Sequence, residues 1–96
     1  MANENVRFPS GITVLIPAYN EEGALESTVE TIRACAEVAA DFEIIVIDDG
    51  STDRTAEVAA RLPVTLVRHP ANRGYGASLV TGMRRAKHDW VMIADA

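Results

Sequence analysis

Phe42-Glu43-Ile44-Ile45-Val46-Ile47-Asp48-Asp49-Gly50-Ser51 is the stretch that decides the fold. Phe42 to Ile47 is almost wholly apolar and rich in β-branched residues. A short run of that kind reads as a strand buried on both faces, as in a parallel sheet. Asp48-Asp49-Gly50-Ser51 then reads as a turn. Paired carboxylates at a strand end suit a metal site, an acid/base pair or a plain turn, and the turn by itself needs only one aspartate.

The pattern continues outward in both directions. On the N-terminal side, Ile12 to Ile16 is a second β-branched run, closed by Pro17. Between the two runs, Leu25, Val29, Ile32 and Ala36 recur at spacings of three and four, which predicts a helix from Glu21 to about Ala39. Glu21, Glu22 and Glu26 place negative charge in its first turns, where the helix dipole favours it. On the C-terminal side, Thr55, Val58, Ala59 and Leu62 predict a helix capped by Ser51, Thr52 or Asp53 and stopped by Pro63. Val64 to Arg68 is a third strand, and His69-Pro70-Ala71-Asn72-Arg73-Gly74 a loop. Ala77, Val80, Met83 and Ala86 predict the apolar face of a third helix, and Trp90 to Ala94 a fourth strand. The order β-α-β-α-β-α-β means an α/β fold: a Rossmann-like, doubly wound, mostly parallel sheet with helices on both faces. Ligands of such sheets bind outside the carboxyl ends of the strands.

Composition narrows the partners. The 96 residues suffice for one small domain, and the formal net charge of −5 excludes nucleic acid as a partner. Cys35 is the single cysteine, so no internal disulfide forms, and no Cys/His cluster has zinc spacing. No apolar run approaches the ~20 residues of a membrane span. The first residues lack the charge and apolar pattern of a signal peptide. The expectation is a cytoplasmic protein, with residues 1–11 as tail and lead-in, Met1 to Asn5 frayed, and the domain proper over 12–96.

Four loops hold the unusual residues: Pro17-Ala18-Tyr19-Asn20-Glu21-Glu22, Asp48-Asp49-Gly50-Ser51, Asn72-Arg73-Gly74 and Asp95-Ala96. The topology carries all four to one rim of the sheet. A dinucleotide-binding domain would need a glycine-rich turn straight after the first strand. Pro17-Ala18-Tyr19-Asn20 has no glycine, and Gly74-Tyr75-Gly76 follows the third strand instead. The missing Gly-Lys-Ser/Thr excludes a P-loop NTPase, and a sugar nucleotidyltransferase also wants glycines after strand one.

Those loops resemble the start of family 2 glycosyltransferases of GT-A fold, in the flavour of the polyprenyl-phosphate sugar synthases. The residues that carry the resemblance are Pro17-Ala18-Tyr19-Asn20-Glu21, Asp48-Asp49-Gly50-Ser51-Thr52-Asp53, Asn72-Arg73-Gly74-Tyr75-Gly76-Ala77 and Ile93-Ala94-Asp95-Ala96. The resemblance covers Ile12 to Ala96, with the four motifs in the family's order. The resemblance implies a substrate-binding set of Pro17, Ala18, Tyr19, Glu21, Asp49, Arg73 and Asp95. Tyr19 would lie against the nucleobase. Pro17 and Ala18 would bring backbone near it. Glu21 would contact base or ribose, or serve only the helix N-terminus. Asp49 would bond base or ribose while Asp48 shapes the turn, and Arg73 would reach base or phosphates. Asp95 matches the first carboxylate of an Asp-X-Asp motif, the metal ligand for Mg²⁺ or Mn²⁺, and the second carboxylate would fall one position beyond Ala96. The implied reaction is metal-assisted, inverting transfer of a sugar from a UDP- or GDP-linked donor to an acceptor. A lipid phosphate is the acceptor the nearest branch implies, at the cytoplasmic face of a membrane. The chain itself is then expected to bind nucleotide without a catalytic residue of its own. The competing reading is an inert nucleotide-binding or folding module.

The remaining candidates read as bland. His69 and His88 stand in loops without ligand partners at useful spacing. Cys35 is placed on or near the buried face of the first helix, and Arg84-Arg85-Lys87 on a solvated face. Val91, Met92 and Ile93 are expected to form an open apolar edge through which the chain self-associates.

Overall fold

The computed structural model describes residues 10–36 and 41–96. The elements are β1 (Gly11–Ala18), α1 (Leu25–Ala36), β2 (Asp41–Asp48), α2 (Thr55–Ala60), β3 (Thr65–Arg68), α3 (Tyr75–Arg85) and β4 (Trp90–Ile93). All strand pairs are parallel, and the order across the sheet is β3-β2-β1-β4. The chain winds outward from β1 to β3, then returns to the other side of β1. The doubly wound sheet read from the sequence is therefore the observed one, and its switch point lies between β1 and β4.

Alternation along the strands divides the core. Ile12, Val14, Ile16 and Ala18 of β1 and Ile44 and Val46 of β2 pack with Leu25, Val29 and Ala59 of α1 and α2. Leu15, Ile45 and Ile47 point the other way, with Val67 against them. That opposite face is covered by α3, whose contact residues are the small Ser78 and Gly82. A Cβ on Gly82 would come within 2.9 Å of Ile47 Cδ1 and of Leu15 Cδ2, so the bulky strand side chains set the closeness of the helix.

Four expectations need correction. The face predicted for α3 is not the packed one, since Val80 and Met83 are 48% and 51% exposed. The strands below already fill the space, so small residues rather than large ones meet the sheet. α1 begins at Leu25, not Glu21, because the preceding residues form a turn in which Glu21 C=O accepts from the N–H groups of Ala24 and Leu25. Its predicted last turn, 37–39, lies outside the described residues, as does the tail Met1 to Asn5. Cys35 stands near the packed face of α1, as expected, lining an apolar groove with Ile32, Ala36 and Ile93, but it is itself exposed rather than packed away. Finally, Pro17 does not close β1 but pairs within it, opposite Ile47. Leu15 C=O accepts from Ala94 N–H on the β4 side, so alternation directs the Pro17 nitrogen to that same side. The β4 ladder ends at Ile93 opposite Leu15, so the N–H that Pro17 lacks falls where there is no ladder to complete.

β4 differs from the inner strands. Every residue from Trp90 to Ile93 is exposed, and among the described residues its outer edge is unpaired.

Candidate functional site

The carboxyl ends of the strands are in register. Ala18 pairs with Asp48, and Asp48 with Arg68. The residues just past these ends, Tyr19, Asp49 and His69, therefore leave the sheet side by side.

The first two loops are stitched together. Asn20 takes a φ of 53°, a conformation that its short polar side chain tolerates. Its N–H donates to Ser51 Oγ (2.9 Å), and its Oδ1 accepts from Thr52 N–H (2.9 Å). Glu21 N–H donates to Thr55 Oγ1 (2.8 Å), which joins the start of the first loop to α2. Asp53 Oδ1 accepts from Thr55 N–H (2.8 Å) in the turn before α2, but the N-cap position itself is Arg54, without a side-chain cap, rather than Ser51, Thr52 or Asp53. Gly50 completes the turn at a φ of 72°, and a Cβ there would stand 2.5 Å from the Ala71 carbonyl carbon and Asn72 nitrogen.

The two aspartates do different work. Asp48 is fully buried, its Oδ1 accepting from Ser51 N–H (3.1 Å) and its Oδ2 from Arg68 Nε (3.2 Å). It shapes the turn. Asp49 is 5% exposed and forms a knot between loops. Its Oδ1 accepts from His69 Nδ1 (2.7 Å) and Arg73 N–H (2.8 Å), and its Oδ2 from Gly74 N–H (2.9 Å). Burial alone would push this carboxyl up. The His69 hydrogen bond and the Arg73 and Gly74 amides outweigh it and hold the carboxyl below its usual 3.8. Asp49 is accordingly ionised at neutral pH, and it only accepts.

A cleft of about 380 Å³ opens at the switch point. Pro17, Ala18, Tyr19 and Glu21 line it from β1, and Asp49 from β2. Asn72, Gly74, Tyr75 and Ser78 line it from the approach to α3, and Asp95 and Ala96 from β4. Tyr19 is 45% exposed, with a ring free to stack. The structure thus brings together every residue of the candidate set except Arg73. The Arg73 side chain is exposed, and its N–H rather than its guanidinium ties the residue to the site. Asp95 stands exposed on the opposite wall from Asp49, with no hydrogen bond from its side chain to the described residues. Among the described residues no cluster of three or more His, Cys, Asp or Glu could hold a metal ion by itself.

The sequence reading missed His69, Asn20, Tyr75 and Ser78. His69 has no partner at useful spacing in the sequence, yet it is 6% exposed and bonded at both ring nitrogens. The signal was the strand ends: Arg68-His69 follows β3 as Asp48-Asp49 follows β2, and parallel register makes them neighbours. His88 is also less bland than it read. Its N–H donates to Thr13 Oγ1 (3.3 Å) at the opposite end of β1, far from the cleft.

A doubly wound sheet with a cleft at its switch point, walled by a tyrosine and two strand-end aspartates, defines an α/β fold of the ligand-binding kind. Residues 13–96 match the family model described as glycosyl transferase family 2, and the chain belongs to that family. It is 38% identical over 92 residues to an undecaprenyl-phosphate 4-deoxy-4-formamido-L-arabinose transferase of Edwardsiella ictaluri, covering 88% of this chain and 28% of that protein. Its counterpart in Pseudomonas aeruginosa strain LESB58 is 39% identical, again over 88% of this chain and 27% of the relative. Among solved structures, a mannosyltransferase of Pyrobaculum calidifontis in complex with GDP-Man and Mn²⁺ superposes with a TM-score of 0.76 at 30% identity. It covers 88% of this chain and 26% of that one. Glucosyl-3-phosphoglycerate synthase of Mycobacterium tuberculosis, in complex with Mn²⁺, UDP and phosphoglyceric acid, gives the same TM-score of 0.76 and 30% identity. There 90% of this chain and 32% of the other are covered. The chain thus spans between a quarter and a third of the length of these relatives.

Proposed function

We propose that this chain binds the nucleoside diphosphate part of a sugar donor in the switch-point cleft, as the donor-side part of a glycosyltransferase. The convergence of Tyr19, Asp49 and Asp95 on one cleft, from three different strands, carries the reading. Support comes from the GDP-Man and UDP in the two solved relatives.

Each residue has a task in that reading. The Tyr19 ring offers a face for the base, with Pro17 and Ala18 fixing the loop below it. Asp49 Oδ1 is filled by two protein donors, whereas Oδ2 holds one and keeps a second acceptor position. That position suits one N–H of a base or one ribose hydroxyl. Glu21, also on the wall, gives a second acceptor for the ribose, and Arg73, exposed beside the cleft, gives positive charge for the phosphates.

The diphosphate then points toward Asp95. Mg²⁺ characteristically binds through one or two carboxylates plus substrate phosphates, and an exposed carboxylate without protein donors fits that mode. Asp95 would hold such an ion, or Mn²⁺, whose chemistry is to neutralise charge on the departing nucleoside diphosphate. In the transfer itself an acceptor oxygen attacks the anomeric carbon as the bond to the diphosphate breaks, inverting that carbon. For a polyprenyl phosphate, the acceptor class in the names of the undecaprenyl-phosphate relatives, the attacking oxygen is already anionic and needs little base assistance. That reaction belongs at the cytoplasmic face of a membrane, where a soluble nucleotide sugar meets a lipid phosphate. The chain alone is proposed to bind nucleotide without turnover.

The test is a transfer assay on a polypeptide that joins this chain to the remaining length of its relatives. Given a labelled nucleotide sugar, Mn²⁺ and undecaprenyl phosphate, it is expected to move label into the organic phase, and this chain alone is not. Absence of transfer with both UDP- and GDP-linked donors would overturn the enzymatic reading. Nucleotide binding by the chain would survive as the inert-module reading.

A further inference from the structure

We infer that His69 is a positioning residue that sets the orientation of the Asp49 carboxylate in the cleft and ties it to the middle of α3. The inference rests on the reading of that cleft as a nucleotide site.

Three observations carry it. His69 follows directly from β3, and its N–H donates to Asp48 C=O (2.9 Å), so its backbone is locked beside the end of β2. Its ring is nearly buried and spans two elements, with Nδ1 2.7 Å from Asp49 Oδ1 and Nε2 2.8 Å from Thr81 Oγ1 on α3. Asp49 lines the cleft, and of its two oxygens Oδ1 is occupied by His69 and the Arg73 amide, while Oδ2 has the Gly74 amide alone and keeps an acceptor position.

The chemistry of the bridge is directional. An ionised carboxylate has no proton to give, so Nδ1 carries the hydrogen and donates. In the neutral ring Nε2 is then the acceptor, and the Thr81 hydroxyl donates to it. The tautomer is therefore fixed by both partners at once. Remove the ring, and Oδ1 keeps only the Arg73 amide. The carboxylate can then turn about its terminal torsion, which is soft for aspartate. The Oδ2 acceptor position moves with it, and this is the atom proposed to meet the nucleoside. His69 touches neither the cleft wall nor the ligand in this account and acts only through Asp49. The bridge also makes α3 part of the site. The helix begins at Tyr75, just past the two amides on Asp49, and Thr81 returns to the same carboxylate through His69.

Three variants separate positioning from mere folding. His69→Asn can keep a donor near the Nδ1 position. His69→Gln places its amide farther out, toward Thr81, with no donor at Nδ1. His69→Phe removes both bonds. The measurement is UDP and GDP affinity of the chain by calorimetry, with folding checked by circular dichroism and urea unfolding. Outer partners of metal ligands commonly cost about 10- to 100-fold when lost, and on the same positional reasoning His69→Gln and His69→Phe should weaken the nucleotide that binds by about tenfold or more. His69→Asn should stay within about threefold, a rescue that a purely structural role does not produce. Long-range proton–nitrogen correlation should show His69 with hydrogen on Nδ1, and that resonance should shift when nucleotide is added. If His69→Phe does not fold, the Gln and Asn pair still decides. A folded His69→Gln that binds as tightly as the parent overturns the inference, as does His69→Asn weakened as much as His69→Gln. If the unaltered chain binds neither nucleotide, it is the nucleotide-site reading that fails, and the inference falls with it.

Discussion

The two walls of the cleft are built on opposite principles. On the β2 side, Asp49 is buried, ionised and gripped by three donors from two segments. On the β4 side, Asp95 is exposed and free of hydrogen bonds from the described residues, at the end of a strand that is itself exposed throughout. Both are strand-end aspartates, and they look alike in the sequence. What separates them is the number of neighbouring strands. β2 sits between β1 and β3, so loops crowd around its end, whereas among the described residues β4 pairs with β1 alone. The crowded wall arrives preorganised, and its groups lose little freedom when a ligand binds. In the proposed function, the open wall would gain its order from the metal and diphosphate bound there.

That contrast is exposed to direct attack. The largest effect is expected from Asp49→Ala, which strands the His69 ring hydrogen and the Arg73 and Gly74 amides. A buried donor left unpaired costs about 1–3 kcal/mol, so losing the partner of all three should cost about 3 kcal/mol or more, read by urea unfolding. Gly50→Ala should follow at about 2 kcal/mol or more, since it adds a left-handed alanine to a contact with the 71–72 backbone. Loss of nucleotide affinity should accompany both.

Acid should reveal the same wall more gently. The folded value of Asp49 lies below the unfolded one, so its contribution is complete above the unfolded value of about 3.9 and is lost as pH falls through the folded value. Urea midpoints measured between pH 5 and pH 2.5 should fall, with a shallower fall in Asp49→Asn. An unchanged slope in that variant would remove Asp49 from the account of acid stability.

Asp95→Asn should leave stability within about 0.5 kcal/mol, as exposed substitutions do, while abolishing any strengthening of nucleotide binding by Mn²⁺. A large stability loss would show that the open wall is as structured as the buried one. The smallest effect expected is weak self-association through β4, seen as larger species in sedimentation at rising concentration and removed by Val91→Lys.

Much of this architecture was legible because burial on both faces writes itself as unbroken apolar runs, as in Ile44 to Ile47. The parallel, doubly wound layout follows from the alternation of strands and helices, and the four loops from their positions after strands, whereas the order β3-β2-β1-β4 comes from the structure. The α3 face was not legible. Apolar spacing pointed to Val80 and Met83, but the width of Leu15 and Ile47 beneath the helix decided for Ser78 and Gly82. His69 stayed hidden for a related reason. Its partners lie 20 residues back at Asp49 and 12 residues on at Thr81, and neither spacing belongs to a helix or a turn. Only the lateral register of β2 against β3 brings them together. Arg73 differs again, since the contact it makes within the structure is through its backbone N–H, which the side-chain reading does not show, while the side chain itself is exposed.

The account rests on nucleotide entering the cleft between these walls, and an amide-shift titration of the labelled chain with UDP and with GDP, each with Mn²⁺ and then with chelator, tests this most directly. It predicts saturable shifts at Ala18, Tyr19, Arg73 and Gly74 for one of the two nucleotides, with those at Asp95 and Ala96 diminished by chelator. A folded chain whose spectrum is unmoved by either nucleotide, or whose shifts cluster away from the carboxyl ends of β1 and β2, would contradict it.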